Sequence, residues 1–563
     1  MIDYLILGGG SAGCVLAARL SEQAGKRVCL VEAGRDISAA TMPAEVRSRY
    51  PGRAYLDPRN LWQRLVATYG ASLQKPRRYE QARLLGGGSA INALMTNRGA
   101  PADYDEWERL GAVGWNWQAC LPYFIKLEHD TDLAGPLHGR QGPLRIRRTP
   151  PERLSPFVQG VMAALARRGH SIRADQNGPW EDGVFVGAIG VSEQGERIPT
   201  SVCYLTDTVR QRPNLEVRTG WQADRVLFDG SRARGAVLVN ERGETQQLQG
   251  REVILCAGAI HSPAILMRSG VGPRAMLEGL GIEVVAAREG VGARLMEHPS
   301  IAVSTVLSRR GRTAHPAEHH EQAVWRYSSG LPGIGPGDMH GAILSRSGWH
   351  SVGYRMGTVF FWVNKSCSQG QVRLASASPL VEPEVDFAML SDERDLQRLM
   401  QALRYGAQVL QAEELAPLRS VVFPASYSPR VAKVAQPGLM NALARGALSV
   451  LLDIAGPLRG GLVRRVITQG AELRTLLSDD SALAQFVRRN VGGTWHASCT
   501  CAMGATDDPT AVTDSAGRVI GTQGLRVCDA SLMPSIPCAN LNVPTIMIAE
   551  RIAAMIAGTD QPR

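Results

Sequence analysis

Three glycines near the start of the chain have the spacing of a dinucleotide-binding turn. Gly8, Gly10 and Gly13 form the pattern G-x-G-x-x-G, and Glu32 follows at the end of the next apolar run. In this pattern the first glycine permits a tight turn, the second lets the backbone approach a diphosphate, and the third lets a helix pack closely on a strand. A carboxylate at Glu32 would accept hydrogen bonds from ribose hydroxyls. The spacing predicts a dinucleotide site without separating FAD from NAD, and a purely structural turn is the alternative.

The elements around this turn are those that position a dinucleotide. The run from Tyr4 to Leu7 predicts a buried parallel strand, the apolar positions between 15 and 20 predict a helix, and Arg27 to Val31 predicts a second strand. The helix would direct its free N–H groups and the positive end of its dipole at the phosphates. A strand, turn, helix, strand and acid in one unit indicate an α/β domain.

A second glycine cluster lies further along the chain. Gly86, Gly87 and Gly88 are followed by Ser89 and Asn92, whose side chains add hydrogen-bonding groups. Three successive glycines bring bare backbone against a flat or anionic group. The alternative is a flexible surface loop.

Other elements are predicted more coarsely. Alternating stretches between residues 215 and 256 predict a small β-meander, and Glu252 to Cys256 predicts a buried strand. Ser262 is expected to be the N-cap and Pro263 the first residue of the helix that follows. Patterns in the second half predict strands near Val372–Leu374 and Glu384–Phe387 and an amphipathic helix over Leu396–Leu410.

Length and charge limit the functions to consider. The chain has 563 residues, which suggests about two to four domains. Its 62 basic and 52 acidic residues give a net charge of +10, but the arginines are scattered and form no long run. A nucleic-acid-binding protein would more often concentrate them on one face, so no nucleic-acid partner is expected.

The sequence also predicts where the protein is found. No run reaches about 18 consecutive apolar residues, and the N-terminal segment does not resemble a signal peptide. The ten cysteines are dispersed, which favours reduced thiols over disulfides. We therefore expect a cytoplasmic protein without a membrane partner.

Several separated motifs together resemble the glucose-methanol-choline (GMC) oxidoreductases, a flavoprotein family. The resemblance covers nearly the whole chain. Within the family, the chain resembles most the 5-hydroxymethylfurfural oxidases, through segments 79–85, 361–365 and 490–496. The family motifs are Gly8–Gly13 with Val31-Glu32-Ala33-Gly34, Leu85–Asn92, Gly258–Pro263, Gly290-Val291-Gly292 with Glu297-His298-Pro299, Trp495–Gly504, Asp529–Pro534 and Asn540–Thr545.

The resemblance implies FAD and two domains. It implies a Rossmann-like α/β FAD-binding domain of the GMC type and an α+β substrate-binding domain built on an antiparallel sheet. We assign residues 1–150, 215–298 and 495–563 to the FAD-binding domain, and 151–214 and 299–494 to the substrate-binding domain. The residues that the resemblance places against FAD are Gly8, Gly10, Ser11, Ala12, Gly13, Glu32, Ala33, Trp62, Leu85, Gly87, Gly88, Asn92, Ala93, Met95, Val226, Ala257, Asp529, Ala530, Asn542, Pro544 and Thr545.

The mode of FAD attachment follows from one position. Some relatives bind the flavin covalently through a histidine in the second glycine segment, and the matching residue here is Ile91. An aliphatic side chain cannot form that bond. The resemblance therefore implies non-covalent FAD.

The resemblance also implies the catalytic residues. His496 would be the base that takes the hydroxyl proton of an alcohol while a hydride leaves for flavin N5. Asn540 cannot act as a base, but its amide would orient the alcohol oxygen. The last helix, with Pro544 in its first turn, would point its positive end at the flavin. Phe360, Trp362 and Trp495 would line a flat substrate pocket, with core packing as the alternative for each.

Two features depart from the family pattern or lie outside it. The family usually has glycine where Cys499 stands, so a larger side chain is expected to reshape the pocket near His496. Cys499 and Cys501 form no evident metal site, and no metal is expected. The Gly-, Pro- and His-rich segment 308–350 is expected to be a long irregular loop that acts as a lid or interface.

These inferences together predict an enzyme that acts on a small alcohol. The main hypothesis is an FAD-dependent oxidase of primary aryl, furanic or allylic alcohols, and of aldehyde hydrates, with O2 as acceptor and H2O2 as product. The alternatives are a dehydrogenase that uses a quinone or another carrier, and a lyase that retains FAD. The oligomeric state is left open.

Overall fold

The computed structural model describes residues 1–70, 74–425 and 433–560. In these residues the strands are β1 (Ile2–Leu7), β2 (Val28–Glu32), β3 (Val66–Gly70), β4 (Arg77–Arg78), β5 (Glu128–Asp130), β6 (Leu144–Arg148), β7 (Ile172–Arg173), β8 (Gly183–Val186), β9 (Ala188–Gly190), β10 (Leu215–Thr219), β11 (Gln222–Asp229), β12 (Arg232–Val239), β13 (Thr245–Leu255), β14 (Val271–Gly272), β15 (Ala286–Ala287), β16 (Ser300–Leu307), β17 (Glu321–Tyr327), β18 (Met339–Leu344), β19 (Met356–Val363), β20 (Gln371–Arg373), β21 (Glu384–Met389), β22 (Arg419–Ala425) and β23 (Leu525–Val527).

The helices complete the architecture. They are α1 (Ser11–Leu20), α2 (Ala44–Arg47), α3 (Pro101–Arg109), α4 (Trp117–Leu127), α5 (Pro156–Arg167), α6 (Thr200–Cys203), α7 (Asp207–Arg210), α8 (Gly258–Arg268), α9 (Arg274–Gly279), α10 (Glu393–Leu410), α11 (Leu439–Ile454), α12 (Arg459–Val466), α13 (Leu473–Ser478), α14 (Asp480–Asn490) and α15 (Asn542–Ala557).

A parallel sheet carries the predicted dinucleotide turn. Its strand order is β10-β2-β1-β13, with β23 also paired to β13, and all of these pairs are parallel. At its centre Leu5 lies opposite both Cys29 and Val253. The strand β1 ends at Leu7, so the first glycine of the turn follows it directly. The predicted strand–turn–helix–strand unit is therefore present, with the turn at the carboxyl end of the sheet, where nucleotides bind in open α/β folds.

The β-meander is built from fewer residues than the sequence predicts. The strands β11, β12 and β13 pair antiparallel, but β10 joins the parallel sheet instead. β13 belongs to both arrangements, because its first half pairs with β12 and its second half with β1. The meander thus extends directly from the nucleotide-binding sheet.

A second large sheet lies opposite the glycine turn of the first sheet. Its order is β22-β16-β19-β18-β17-β8-β7, antiparallel except for the pair β7–β8. In the register of this sheet, Ala342 lies opposite Phe360 and His340 opposite Trp362. The helix α10 packs against β16 and β19. A parallel α/β sheet combined with an α+β region on an antiparallel sheet agrees with the predicted fold class.

Two local predictions are wrong. Segment 308–350 is not a long irregular loop, because it contains β17 and β18, two inner strands of the second sheet. Its glycines and prolines lie in the connections, while the strand residues Glu321–Tyr327 are all buried. The helix α8 begins at Gly258, so Ser262 and Pro263 lie inside it rather than at its start. Pro263 cannot donate to the carbonyl of Ala259, and the Thr500 hydroxyl donates to that oxygen instead at 2.6 Å.

The other predicted elements are present with shifted ends. β20, β21 and α10 correspond to the two strands and the helix that the second half of the sequence predicts. β20 and β21 form a four-stranded sheet with β3 and β4, which come from the first 150 residues. The domain boundaries themselves stay a prediction.

Within the described ranges, no single helix has both the length and the apolar character to cross a membrane. The bent pair Leu439–Ile454 and Gly456–Val466, whose axes differ by 119°, meets that criterion only when the two are taken together.

Candidate active site

A cavity of about 350 Å³ lies between the two large sheets and brings most of the predicted site residues together. Four predicted FAD-binding residues do not line it: Gly13, Leu85, Val226 and Pro544. The predicted site residues that line it are Gly8, Gly10, Ser11, Ala12, Glu32, Ala33, Trp62, Gly87, Gly88, Asn92, Ala93, Met95, Ala257, Phe360, Trp362, Trp495, His496, Asp529, Ala530, Asn540, Asn542 and Thr545.

The glycine turn is shaped by close backbone approaches. Gly8 has a φ of +113°, and a side-chain carbon there would lie 2.4 Å from the carbonyl oxygen of Cys256. A side-chain carbon on Gly13 would lie 1.9 Å from the carbonyl oxygen of Gly8, which explains why Gly13 is needed although it does not line the cavity. Leu85 packs directly against the turn: a side-chain carbon on Gly9 would lie only 2.5 Å from Leu85 Cδ1.

The Glu32 carboxylate is held in place beside the turn. Its two oxygens accept hydrogen bonds from the backbone N–H groups of Gly9 at 2.8 Å and Gly34 at 2.7 Å. Burial raises the pKa of Glu32, and these backbone hydrogen bonds oppose that rise. The carboxylate lines the cavity, so it can also accept from a ribose hydroxyl.

Three helices, α1, α8 and α15, begin at the cavity without a hydrogen bond from an N-cap side chain, and at the start of α8 the Asp529 carboxylate already accepts from the Gly258 N–H at 2.8 Å. α1 has Gly10 as N-cap and α15 has Leu541, and neither receives a side-chain cap hydrogen bond. Ser11 donates to Asn542 Oδ1 at 2.8 Å and so joins the starts of α1 and α15. An uncapped helix start presents backbone N–H groups and a positive dipole end to an anion. These donors, the bare glycine turn and the acceptor Glu32 together fit FAD.

Ile91 also lines the cavity, and its aliphatic side chain offers no atom for a covalent link to a flavin. Its neighbours in the second glycine segment leave room for a ligand: a side-chain carbon on Gly88 would meet nothing within 4 Å.

His496 and Asn540 meet at the cavity. Asn540 Nδ2 lies 3.3 Å from His496 Nε2, and Asn540 Oδ1 accepts from Asn97 Nδ2 at 2.7 Å. The second contact fixes the orientation of the Asn540 amide, so its N–H groups point towards the histidine and the cavity. A hydroxyl oxygen placed beside these two side chains would find one donor and one proton acceptor.

Glu297 anchors the segment that carries His496. Its carboxyl oxygens accept from the backbone N–H groups of His496 at 2.7 Å and His298 at 2.8 Å, and from the hydroxyls of Thr494 at 3.1 Å and Tyr79 at 3.2 Å. Burial raises the pKa of Glu297 to about 7. The sequence marked Glu297 and His298 only as family motif residues, because nothing local indicates a contact with a residue about 200 positions away.

The electrostatic setting keeps His496 neutral. Burial lowers its pKa to about 3, and burial lowers the pKa of His298 well below its ordinary value as well. His298 Nδ1 lies 2.9 Å from His496 Nδ1, on the side of the ring opposite Asn540. A neutral imidazole can accept a proton, so the site holds a base in the required state.

Aromatic side chains form one wall of the cavity. Trp362 stacks on His340 with ring centroids 4.1 Å apart, and its Nε1 donates to Asn364 Oδ1 at 3.2 Å. Phe360 lies two residues away on the same face of β19. Trp495 is 39% exposed and donates to Glu80 Oε2 at 3.0 Å. Its φ of +62° places backbone strain directly before His496.

Other residues that line the cavity are not apparent from the sequence. Trp221 and Ala223 line the cavity where Val226 was expected, and Val226 instead donates its N–H to Ser269 Oγ at 2.8 Å. The buried Glu321 on β17 also lines it, and burial raises the pKa of its carboxyl to about 8. Glu321 was not predicted because segment 308–350 was expected to be a loop. A strand assignment for residues 321–327 would have made Glu321 a candidate for the cavity wall.

Cys499 does not line the cavity. Its φ is +74°, in the left-handed region that favours glycine, which is the physical reason for glycine at this position in relatives. The thiol is buried beside Ser498 Oγ at 3.4 Å. Its effect is therefore on the backbone rather than on the shape of the pocket.

Among the residues that the structure describes, two groups of side chains lie close enough to bind a metal by spacing alone. In one, Glu297, His298 and His496 already hydrogen-bond to each other and to backbone. The second group is Glu128, Asp130 and His138. Here Arg98 forms an ion pair with Glu128 and Arg148 with Asp130, so both carboxylates already have a cationic partner. We assign no metal to either group.

The chain is similar to known proteins over nearly its whole length. Two family models, both described as GMC oxidoreductase, match residues 2–300 and 366–549. The chain is 41% identical to a 5-(hydroxymethyl)furfural oxidase of Methylovorus sp. (strain MP688), over 99% of this chain and 98% of that protein. It is 33% identical to an oxygen-dependent choline dehydrogenase of Paraburkholderia phymatum, over 99% of this chain and 92% of that protein.

The fold is shared with solved structures at lower identity. Pyridoxine 4-oxidase from Mesorbium loti superposes with a TM-score of 0.82 at 24% identity, covering 99% of both chains. A fungal aryl-alcohol oxidase superposes with a TM-score of 0.74 at 18% identity, again covering 99% of both chains.

Proposed function

Because the chain belongs to the GMC oxidoreductase family, whose members are FAD-dependent enzymes that oxidise alcohols, we propose that it is an oxidase of primary aryl, furanic or allylic alcohols. In this proposal O2 accepts the electrons and H2O2 is released. Aldehyde hydrates are further substrates, since they present the same hydroxyl and carbinol hydrogen. The protein would act in the cytoplasm.

The proposal depends most on the pair His496 and Asn540. Asn540 Nδ2 would donate to the alcohol oxygen, and His496 Nε2 would accept the hydroxyl proton, because the two atoms lie 3.3 Å apart at the cavity. Removing that proton makes the carbinol hydrogen easier to transfer as hydride. A positioned histidine of this kind contributes about 10²–10⁴-fold to the rate.

FAD would be held without a covalent bond. The glycine turn and the start of α1 would bind the diphosphate, and Glu32 the ribose. When bound, FAD supplies the acceptor for the hydride. The uncapped start of α15, with Asn542 and Thr545 at the cavity, would stabilise negative charge that accumulates beside it.

The wall of the cavity supports the proposed substrate class. Phe360, Trp362 and Trp495 present flat apolar surfaces that suit a furan or benzene ring. The named activity of the relative that is 41% identical supports a furanic alcohol.

A dehydrogenase that passes electrons to a quinone or another carrier is the second candidate. Two relatives named mitochondrial choline dehydrogenase, 31% and 30% identical, favour it. An FAD-retaining lyase of the same fold is a third, but it would leave the proton-accepting arrangement of His496 and Asn540 without a redox role.

Anaerobic mixing of the holoenzyme with an alcohol separates these functions. 5-Hydroxymethylfurfural and vanillyl alcohol are expected to bleach the flavin absorbance, and 2,5-dimethylfuran, which has neither a hydroxyl nor an aldehyde, is the matched control. Admission of air should restore the colour within seconds and yield one H2O2 for each reduced flavin that is reoxidised. Slow recovery without peroxide would support the dehydrogenase. An unbleached flavin with every alcohol would contradict the proposal.

A further inference from the structure

We propose that His298 is a positioning residue that fixes the tautomer of His496: it keeps the ring proton of His496 on Nδ1 and leaves Nε2 bare as the base. The inference rests on the proposed function, since it concerns the base of that reaction. It assigns a role to a side chain that does not line the cavity.

The tautomer of His298 is determined by a backbone carbonyl. His298 Nε2 lies 3.2 Å from the carbonyl oxygen of Pro537. A carbonyl oxygen only accepts hydrogen bonds, so His298 Nε2 must carry the proton. The ring is fully buried, and burial favours its neutral form. A neutral imidazole protonated on Nε2 has a lone pair on Nδ1, so His298 Nδ1 acts only as an acceptor.

The hydrogen bond between the two histidines then determines which nitrogen of His496 carries the proton. His298 Nδ1 and His496 Nδ1 are 2.9 Å apart, and the two rings are nearly perpendicular, at 85°. Two lone pairs at this distance would repel, so one of the nitrogens must donate. Because His298 Nδ1 is the acceptor, the proton lies on His496 Nδ1. Neutral His496 then has its free lone pair on Nε2, the atom beside Asn540.

Thr494 acts in the same direction as His298. Its hydroxyl donates to Glu297 Oε1 at 3.1 Å, so its oxygen is left to accept from His496 Nδ1 at 2.7 Å. A hydroxyl can rotate away from Glu297 and then donate to His496. His298 has no such freedom, because its other nitrogen donates to Pro537, so we assign the main control of the tautomer to His298.

The backbone holds His298 in this position. Its N–H donates to Glu297 Oε1, and the same carboxylate receives the N–H of His496. The two histidines, which are far apart in sequence, are thus held by one carboxylate. The arrangement has the logic of a catalytic triad, in which a third group holds an imidazole in the productive tautomer.

Two substitutions at His298 distinguish the loss of its hydrogen-bond acceptor from the loss of its packing. In His298→Asn the amide oxygen lies near the position of Nδ1 and keeps an acceptor for His496. In His298→Gln the amide lies near the position of Nε2, where it still donates to Pro537 but offers His496 no acceptor. Thr494→Val is the third variant, since it removes the rotatable hydroxyl and keeps the shape.

The readouts are the anaerobic flavin-reduction rate and the protonation of the ring. We expect His298→Gln to slow reduction by at least about 10-fold and by less than the about 10⁴-fold caused by a wrong tautomer in a serine protease. His298→Asn and Thr494→Val should lose less than His298→Gln. In holoenzyme with ¹⁵N-labelled histidine, the wild-type His496 signal, assigned by its loss in His496→Ala, should show a proton on Nδ1. A second form with the proton on Nε2 should appear in His298→Gln.

The outcomes distinguish this inference from the proposed function. A wild-type proton on His496 Nε2, or an unchanged rate in His298→Gln, overturns the role of His298 even when His496→Ala is inactive. A fully active His496→Ala overturns the base itself. If His298→Gln does not retain FAD, the wild-type tautomer alone decides, because it needs no variant of His298.

Discussion

The buried carboxylate of Glu550 connects α1 and α15, both of which begin at the FAD cavity. Glu550, on α15, has no exposed side-chain surface and accepts from Arg19 of α1 at 2.7 and 3.0 Å. Lys126 Nζ lies 2.8 Å from Glu550 Oε2, and the Tyr204 hydroxyl donates to Glu550 Oε1 at 2.9 Å. Burial alone would raise the pKa of Glu550, but Arg19 and Lys126 outweigh it and lower the pKa below its ordinary value.

Glu550→Gln should therefore destabilise the protein markedly. Removing one partner of a fully buried ion pair costs about 3–5 kcal/mol. Arg19 is 24% exposed and Lys126 45% exposed, so both regain some hydration. We expect a loss of about 2–3 kcal/mol in the free energy of unfolding. The start of α15 would also shift relative to α1, so FAD should dissociate more readily.

Urea unfolding of the holoenzyme followed by circular dichroism measures this loss, and flavin fluorescence measures FAD release. Glu22→Gln is the matched control, because Glu22 pairs with the same Arg19 at 3.0 Å but is 51% exposed. It should cost at most about 0.5 kcal/mol. The stabilisation by Glu550 is present above the ordinary carboxyl pKa and lost as the pH falls through its lowered value, so the two proteins should converge in acid. Equal, small losses in both variants would refute the reasoning.

Three further predictions concern the site. Because burial lowers the pKa of His496 to about 3, the ¹⁵N signals of its ring in the holoenzyme should show no protonation between pH 8 and pH 5, and protonation with a midpoint near 6.5 would mean that the base is hydrated. Because Ile91 cannot form a covalent link, acid precipitation should leave all FAD in the supernatant, and flavin retained in the washed precipitate would contradict this. Cys499→Gly should change the free energy of unfolding by less than about 1 kcal/mol, since relief of the positive φ offsets the lost thiol contacts and the greater freedom of the unfolded chain. It should leave kcat/KM for 5-hydroxymethylfurfural unchanged, and an altered substrate preference would restore the idea that Cys499 shapes the pocket.

The sequence predicts the nucleotide half of the site well for a physical reason. A dinucleotide is bound largely by backbone, and backbone approach requires glycine at fixed spacing, so Gly8, Gly10 and Gly13 are visible in the sequence. The carboxylate that follows β2 is visible in the same way, because the strand ends at it. The flanking strands and helix of this unit differ from prediction by only a few residues at their ends.

The environment of the base is not visible in this way. The contacts of His496 with Glu297 and His298 join segments about 200 positions apart, and no local periodicity predicts them. The strands β17 and β18 were hidden because histidines, glycines and prolines around them suggest a loop, whereas burial between neighbouring strands overrides that composition. The start of α8 was misplaced because Ser262 resembles an N-cap, although its hydroxyl donates to Asp529 at 2.6 Å.

Anaerobic stopped-flow reduction of the flavin by 5-hydroxymethylfurfural in wild-type and His496→Ala holoenzyme tests the central claim most directly. His315→Ala, which removes an exposed histidine, is the control for loss of any imidazole. The account predicts that wild type and His315→Ala are reduced at the same rate, and that His496→Ala is slower by at least about 10²-fold with its FAD retained. Reduction of His496→Ala at the wild-type rate would contradict the account.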